Sequence, residues 1–144
     1  MTAEWQQQPP GRQPLQATNG AAATSHPAAT SAALEILQAG GTAVDAALAA
    51  SAVLCVVNPD ATGVGGDGFA QVVEPDGTVT AYNAGGTAGS GATPDRYPHG
   101  VPRESLRAAC IPGLPDCWAA IHERHGAMPL TRLFARAIDL AANG

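Results

Sequence analysis

The segment from Ala22 to Tyr82 constrains the fold of this chain more than any other part of it. It predicts two helices joined by Gly40-Gly41, then a second glycine turn over 63–68, and then a β-hairpin. Each glycine group stands where an element has to end, because glycine accepts backbone conformations that other residues avoid. The order of these elements indicates a mixed α/β (α+β) chain, and no nucleophile or metal cluster is visible in the segment.

Both predicted helices carry recognisable start signals. The first is expected to begin after Ser25, with Ser25 as its cap and Pro27 in its first turn. The second begins near Thr42, with Asp45 placed favourably for the helix dipole. Its continuation over 46–57 is apolar on nearly every side, and a helix of this kind is buried. We expect this helix to lie between a sheet and another element, and no segment of so short a chain obviously supplies both.

Six further elements are predicted from alternating or helical patterns and their flanking turn residues. They are a short strand over 20–24, hairpin strands over 69–74 and 78–82, a strand over 106–111, and helices over 114–125 and 129–142. Residues 83–102 form a long loop rich in Gly, Thr and Pro. Loops of this length are uncommon in compact domains unless they are functional or disordered.

The composition is that of one ordinary domain, with 144 residues, 45% hydrophobic residues and a net charge of −5. All basic residues are arginines and they are scattered, so no nucleic-acid surface is expected. The longest apolar run is shorter than the ~20 residues that span a bilayer, so no membrane partner is expected. Residues 1–18 lack an apolar signal-peptide region and predict a disordered N-terminal arm before a folded portion over 19–144. These features favour the cytoplasm, or secretion if the true N-terminus lies upstream.

The cysteines and histidines do not have the spacing of a metal site. The three cysteines are Cys55, Cys110 and Cys117. Their number is odd and no C-x-x-C occurs, so neither a disulfide scaffold nor a zinc site is indicated. His26 at a helix start is expected to bond the backbone, and no third ligand accompanies His122 and His125. We therefore expect no metal and no cofactor.

The glycine turn over 63–68 matches G-x-G-x-x-G, but its neighbours are in the wrong order for a dinucleotide site. That site needs a strand before the turn and a helix after it. The turn either delivers the next strand into a sheet or lines a substrate pocket with its N–H groups. Asp67 is expected to bond its own glycine turn, with a pocket carboxylate as the alternative. The hydroxyls of Thr87, Ser90 and Thr93 are ordinary loop groups unless a base stands beside one.

Seven groups of residues, taken in order, resemble the large subunit of the gamma-glutamyltransferase family. They are 25–29 (SHPAA), 34–47 (LEILQAGGTAVDAA), 57–59 (VNP), 63–69 (GVGGDGF), 82–88 (YNAGGTA), 111–113 (IPG) and 125–130 (HGAMPL). The second group is the most specific, because it combines many fixed positions in one run. The resemblance covers roughly 21–144.

This resemblance implies a fold and an activity. Members of the family are N-terminal-nucleophile hydrolases with a four-layer αββα sandwich. Their precursor cuts itself, and the hydroxyl of the exposed threonine attacks an amide carbonyl with its own α-amine as the base. The chain would then be the N-terminal part of the large subunit: a partial sandwich, inactive alone. Its partners would be the remainder of the large subunit, the small subunit, and a small amide or peptide substrate such as glutathione.

The substrate-binding arginine of the family is missing here. Gamma-glutamyl enzymes carry it in a D-x-R-E-x-A-P segment after the hairpin, where it grips the substrate α-carboxylate. Gly85 occupies that position in this chain. In the acylase-like and oxamate-amidohydrolase-like branch with G-G-D-x-F, which fits better, the position is Thr87. Gly85 and Thr87 are thus the candidate substrate-binding positions, no catalytic residue is expected in the chain, and gamma-glutamyl donors should be weak substrates. The arginines that could compensate are Arg96, Arg103 and Arg107.

Two alternatives to the enzyme fragment stay open. The protein could be a catalytically inactive relative that is kept for a binding or assembly role, or a free-standing α/β binding module. A downstream threonine that opens a T-x-x-x-x-V-x-D-like segment would support the enzyme, and its absence would support the inactive relative.

Overall fold

The computed structural model describes residues 14, 16–102 and 105–144. Most of the predicted arm over 1–18 lies outside this part of the chain, and so does Arg103. The elements are α1 (Pro27–Gln38), α2 (Ala43–Val57), β1 (Gly68–Val73), β2 (Val79–Ala84), α3 (Leu114–His125), α4 (Leu130–Leu133) and α5 (Ala135–Asn143). Short 3-10 turns lie at Pro94–Arg96 and Leu106–Ala108. Within this described part, no helix is long and apolar enough to cross a membrane.

Helix α1 is capped by His26, so the predicted cap at Ser25 is wrong. The Nδ1 atom of His26 accepts a hydrogen bond of 3.2 Å from the Ala28 N–H. Pro27 occupies the first helical position and has no N–H. The first N–H that needs an acceptor is therefore that of Ala28, and the ring of His26 lies close enough to accept its hydrogen bond. The prediction that His26 bonds the backbone is confirmed. The helix ends before Gly40, whose φ of +86° allows the chain to reverse.

Helix α2 begins with a capping box between Thr42 and Asp45. The Asp45 N–H donates to Thr42 Oγ1 at 3.1 Å, and the Thr42 N–H donates to Asp45 Oδ2 at 2.9 Å. Asp45 is fully buried and its carboxylate also accepts from the backbone N–H groups of Ala127 and Met128. The cap therefore ties the start of α2 to the loop that follows α3.

The covers of α2 are present in the chain, so the expectation that they would be lacking is wrong. Helix α1 packs against one side of α2, and α3, α4 and α5 pack against others. The alanine-rich faces of α1 and α2 allow close approach, which is how a short chain surrounds an apolar helix. The core consists of Ala29, Ala32, Ala33, Ile36, Val44, Ala46, Leu48, Ala49, Ala50, Ala52, Val53, Cys117, Ile121, Leu133 and Ala137.

The predicted hairpin is confirmed, with an antiparallel register that pairs Gly68 with Ala84 and Val73 with Val79. Its turn is closed by the Gly77 N–H donating to the Glu74 carbonyl at 2.9 Å. One face of the hairpin packs on the core through Ala70, Val72, Tyr82 and Ala84. The opposite face, here called the outer face, carries Phe69, Gln71, Val73, Val79, Ala81 and Asn83, all exposed.

Three predicted elements differ from the structure. Residues 20–24 are irregular, and 106–111 contain a 3-10 turn instead of a strand. Neither segment lies along a free strand in the described part of the chain, and a strand needs a neighbour to pair its N–H and C=O groups. The helix predicted over 129–142 is divided into α4 and α5 at Phe134, whose ring packs on Trp118 with centroids 5.3 Å apart.

Candidate functional site

Three loops meet at the N-terminal end of α3 and form what we call the loop junction: 63–68, 85–88 and 111–114. The Gly66 carbonyl accepts hydrogen bonds from the N–H groups of Gly113 at 3.0 Å and Leu114 at 2.9 Å. The Thr87 carbonyl accepts from the Ile111 N–H at 3.2 Å. Backbone groups thus hold together three segments that stand in the sequence as separate motifs.

Asp67 links the glycine turn to the loop after the hairpin. Its Oδ1 atom accepts a hydrogen bond of 2.8 Å from the Gly86 N–H. The prediction that Asp67 bonds its own glycine turn is therefore wrong. Within that turn the Gly66 N–H is already bonded to the Gly63 carbonyl at 3.0 Å, so the turn closes through its backbone. The carboxylate is left to position the loop that carries Gly85 and Thr87.

Neighbouring backbone atoms lie so close to positions 86 and 113 that only glycine fits there. A β-carbon on Gly86 would collide with the carbonyl oxygen of Ile111, and one on Gly113 would collide with the carbonyl oxygen of Ala84. Both obstacles are backbone atoms, which cannot turn aside as a flexible side chain can. Any side chain at either position would therefore force the loop junction apart.

The two predicted substrate-binding positions, Gly85 and Thr87, lie on one exposed loop. They differ in how much space surrounds a side chain there. A β-carbon on Gly85 would stand 3.2 Å from the Phe69 ring and 3.1 Å from Asn83 Oδ1. Thr87 is held through its carbonyl, which leaves its side chain exposed at the surface. The structure thus places both positions beside the loop junction, with Thr87 the more accessible.

A cavity of about 400 Å³ adjoins this loop. It lies between residues 88–101 and 107–110, and Arg107 is among its lining residues. Arg96 belongs to the same loop but lies against Gly91, with Nη1 3.4 Å from the position of a β-carbon there. Arg103 lies outside the described residues, and of the other two arginines that could replace the missing one, Arg107 lines the cavity and Arg96 does not.

The described residues do not pair a nucleophile with a base. Thr87, Ser90 and Thr93 are exposed, and no side-chain base bonds their hydroxyls within 14, 16–102 and 105–144. Burial, and secondarily the charge of Asp116, raise the pKa of the Cys117 thiol, which disfavours the reactive thiolate. In the same residues no group of three or more His, Cys, Asp or Glu could hold a metal ion. The described residues therefore show neither an assembled nucleophile with its base nor a metal cluster.

A second polar cluster fastens the hairpin to the end of α3. Nε2 of His125 lies 2.8 Å from the Tyr82 hydroxyl, and its Nδ1 lies 2.8 Å from Glu74 Oε1. The His125 side chain is only 8% exposed, whereas that of Glu74 is 41% exposed. The sequence alone does not reveal this cluster, because its members are far apart along the chain and no local motif links them.

Comparison with known proteins decides the family. The family described as Gamma-glutamyltranspeptidase matches residues 29–144. The chain belongs to the gamma-glutamyltranspeptidase family. The resemblance inferred from the seven residue groups is therefore confirmed, and the match covers all three segments of the loop junction.

Individual relatives show the range of the family. The chain is 38% identical over 135 residues to an oxamate amidohydrolase proenzyme of Klebsiella pneumoniae, covering 88% of this chain and 26% of that protein. It is 33% identical over 138 residues to a glutathione hydrolase proenzyme of Escherichia coli, covering 91% of this chain and 24% of that protein. The chain thus spans about a quarter of the length of these relatives. By name they are hydrolases made as proenzymes.

Solved structures confirm the fold. The gamma-glutamyltranspeptidase of Helicobacter pylori superposes with a TM-score of 0.84 at 34% identity, covering 91% of this chain and 40% of that one. A cephalosporin acylase from Bacillus halodurans superposes with a TM-score of 0.78 at 32% identity, covering 94% of this chain and 27% of that one. The chain therefore has part of the N-terminal-nucleophile hydrolase fold, as predicted.

Proposed function

We propose that this chain is the N-terminal part of the large subunit of an amide-cleaving enzyme, whose threonine nucleophile is encoded downstream of it. The observation that carries the proposal is the family match over 29–144. The loop junction supports it, because it joins three of the matched segments and shows no nucleophile with its base among the described residues. The complete enzyme would transfer the acyl group of a small amide to the threonine and then to water or an amine.

The outer face of the hairpin supports the partial-sandwich part of this proposal. Phe69 is 69% exposed, Val73 64% and Val79 53%. A sheet that packs helices on one face and leaves aromatic and branched apolar side chains on the other lacks a covering layer. In a four-layer sandwich that layer is the second sheet, to which the remainder of the large subunit and the small subunit would contribute.

The substrate proposal follows from Gly85 and Thr87. An arginine that grips a carboxylate contributes charge-assisted hydrogen bonds of about 1.5–3 kcal/mol each. Glycine has no side chain, and threonine offers one neutral hydroxyl. Without an arginine here, gamma-glutamyl donors should bind at least one to two orders of magnitude less tightly, at ~1.4 kcal/mol per tenfold. We therefore propose a smaller amide as the donor, and oxamate is the first to test because a relative at 38% identity is named for it.

The experiment compares three donors on the complete protein: a gamma-glutamyl anilide, oxamate and a simple amide such as acetamide. We expect oxamate or the simple amide to be preferred. The variant Thr87→Arg should raise kcat/KM for the gamma-glutamyl donor. The matched variant Ser90→Arg, at an exposed position of the same loop that does not line the cavity, should not. A strong preference of the unaltered protein for the gamma-glutamyl anilide would contradict the substrate proposal.

The catalytic part is tested separately. The 144-residue chain alone should turn over none of the three donors, with a mock purification as the control for contaminating enzymes. The alternative is a catalytically inactive relative with a binding or assembly role. A complete protein that lacks a downstream threonine in a T-x-x-x-x-V-x-D-like segment, and that hydrolyses no amide, would favour that alternative.

A further inference from the structure

The cavity beside the loop junction has the size of a small-molecule site. Its volume of about 400 Å³ falls within the range of roughly 300–1,000 Å³ that is typical of ligand pockets. It is formed entirely by the long loop after the hairpin and by the segment that leads to α3. Its lining residues are Ala88, Gly89, Ala92, Thr93, Pro94, Tyr97, Gly100, Val101, Arg107, Ala108, Ala109 and Cys110.

The described residues that line this cavity carry one positive charge and no negative one. The chain has a net charge of −5, yet the charged residue that lines the cavity is Arg107, and no Asp or Glu lines it in the described residues. Within 14, 16–102 and 105–144, Arg107 forms no salt bridge, in contrast to Arg136, which pairs with Asp139. A guanidinium placed in this way suits a carboxylate ligand.

Hydrogen bonds hold the backbone around Arg107 in place. It lies in the 3-10 turn Leu106–Ala108, and its N–H donates to the Ser105 hydroxyl at 3.2 Å. A few residues later the Ile111 N–H bonds the Thr87 carbonyl at 3.2 Å, so the segment that carries Arg107 runs alongside the loop that carries Thr87. Arg107 thus lines the same cavity as Ala88, the residue directly after Thr87.

We infer that Arg107 binds the carboxylate of a small amide substrate, from a different position than the arginine that is missing at Gly85 and Thr87. This inference rests on the proposed function, because it names the group that would select a carboxylate-bearing small amide such as oxamate. Thr93 and Tyr97 add polar groups to the same cavity. No covalent step is assigned to Arg107, which acts as a specificity residue.

The test measures binding without turnover. Oxalate is the product that oxamate hydrolysis would release, and it carries carboxylates but no amide to cleave. Its binding to the complete protein is measured by calorimetry for the unaltered protein and for Arg107→Ala, Arg107→Lys and Arg124→Ala. Arg124 is an exposed arginine on α3 that does not line the cavity, so its variant is the matched control. Thermal unfolding of each variant verifies that it is folded.

We expect Arg107→Ala to weaken oxalate binding about 10- to 100-fold, which is the loss that removal of charge-assisted hydrogen bonds predicts. Arg107→Lys should recover part of the affinity, and Arg124→Ala should match the unaltered protein. In kinetic assays Arg107→Ala should raise KM for oxamate and leave acetamide hydrolysis unchanged.

Several results would overturn the inference: no oxalate binding by the unaltered protein, equal binding by Arg107→Ala, or a loss of binding in Arg96→Ala instead. Failure of the proposed function would look different. Oxalate binding that depends on Arg107 in a complete protein that hydrolyses no amide would refute the enzyme and retain the carboxylate site.

Discussion

The carboxylate of Asp67 accepts a 2.8 Å hydrogen bond from the backbone N–H of Gly86, and this contact joins the glycine turn to the loop after the hairpin. The two residues flank the hairpin at its open end, just before β1 and just after β2. Gly86 is flanked by Gly85 and Thr87, the two positions that the sequence predicts to bind substrate. The contact therefore sets where the proposed substrate loop lies relative to the start of α3.

Replacing Asp67 with Ala should release this loop and leave the rest of the chain intact. The hydrogen bond is exposed, so we expect a loss in stability of only about 1 kcal/mol. Amide exchange should rise for residues 85–88 and stay unchanged in α1 and α2. Hydrogen exchange read by mass spectrometry checks this, with Asp60→Ala as the control at another exposed aspartate. Unchanged exchange over 85–88 would show that backbone contacts alone hold the loop.

Replacing Asp45 with Ala should destabilise the whole chain. The buried carboxylate accepts from the N–H groups of Thr42, Ala127 and Met128, all of which would lose their partner. We expect the free energy of unfolding to fall by about 2–4 kcal/mol. Asp45→Asn keeps an acceptor and should lose less, and exposed Asp60→Ala should lose little. Denaturant titration ranks the variants, and an Asp45→Ala protein as stable as Asp60→Ala would contradict the role given to the carboxylate.

The three thiols should react in the order Cys110, Cys55, Cys117. Cys110 is exposed, Cys55 is partly buried, and Cys117 is buried. Burial and the neighbouring Asp116 raise the pKa of Cys117, so it holds less thiolate at any pH near neutrality. Because its pKa is raised on folding, its contribution to stability is complete below the unfolded pKa and is lost as pH rises through the folded pKa. Iodoacetamide labelling followed by mass spectrometry gives the order, and early labelling of Cys117 would refute it.

The 144-residue chain alone should associate through the outer face of the hairpin. Val73 and Val79 form an exposed cross-strand pair there, and exposed apolar patches drive association. The double variant Val73→Thr, Val79→Thr keeps β-branched side chains and should shift the chain toward monomer in size-exclusion chromatography. Ile138→Thr removes an exposed apolar side chain from α5 and is the matched control. An equal shift in both variants would show that the hairpin face is not special.

Local sequence signals predicted most of the elements. Proline at the first position of α1, the Thr42–Asp45 box, the glycines after α1 and the turn at Gly77 each act within a few residues, so propensity alone reveals them. The errors at 20–24 and 106–111 have one cause. A run of apolar or small residues becomes a strand only where another strand pairs with its N–H and C=O groups. The run itself does not show whether such a strand lies beside it in the fold.

The sequence by itself determined the order of helices and hairpin, the family, and the absence of an arginine at Gly85 and Thr87. Only the tertiary structure decided that α2 is covered by other helices, that Asp67 bonds Gly86, that His125 joins Tyr82 to Glu74, and that Arg107 lines a cavity. The physical reason is the distance along the chain between the residues that interact. Caps and turns satisfy backbone groups a few residues away, whereas these contacts join residues that only packing brings together, as far as 83 positions apart for Asp45 and Met128.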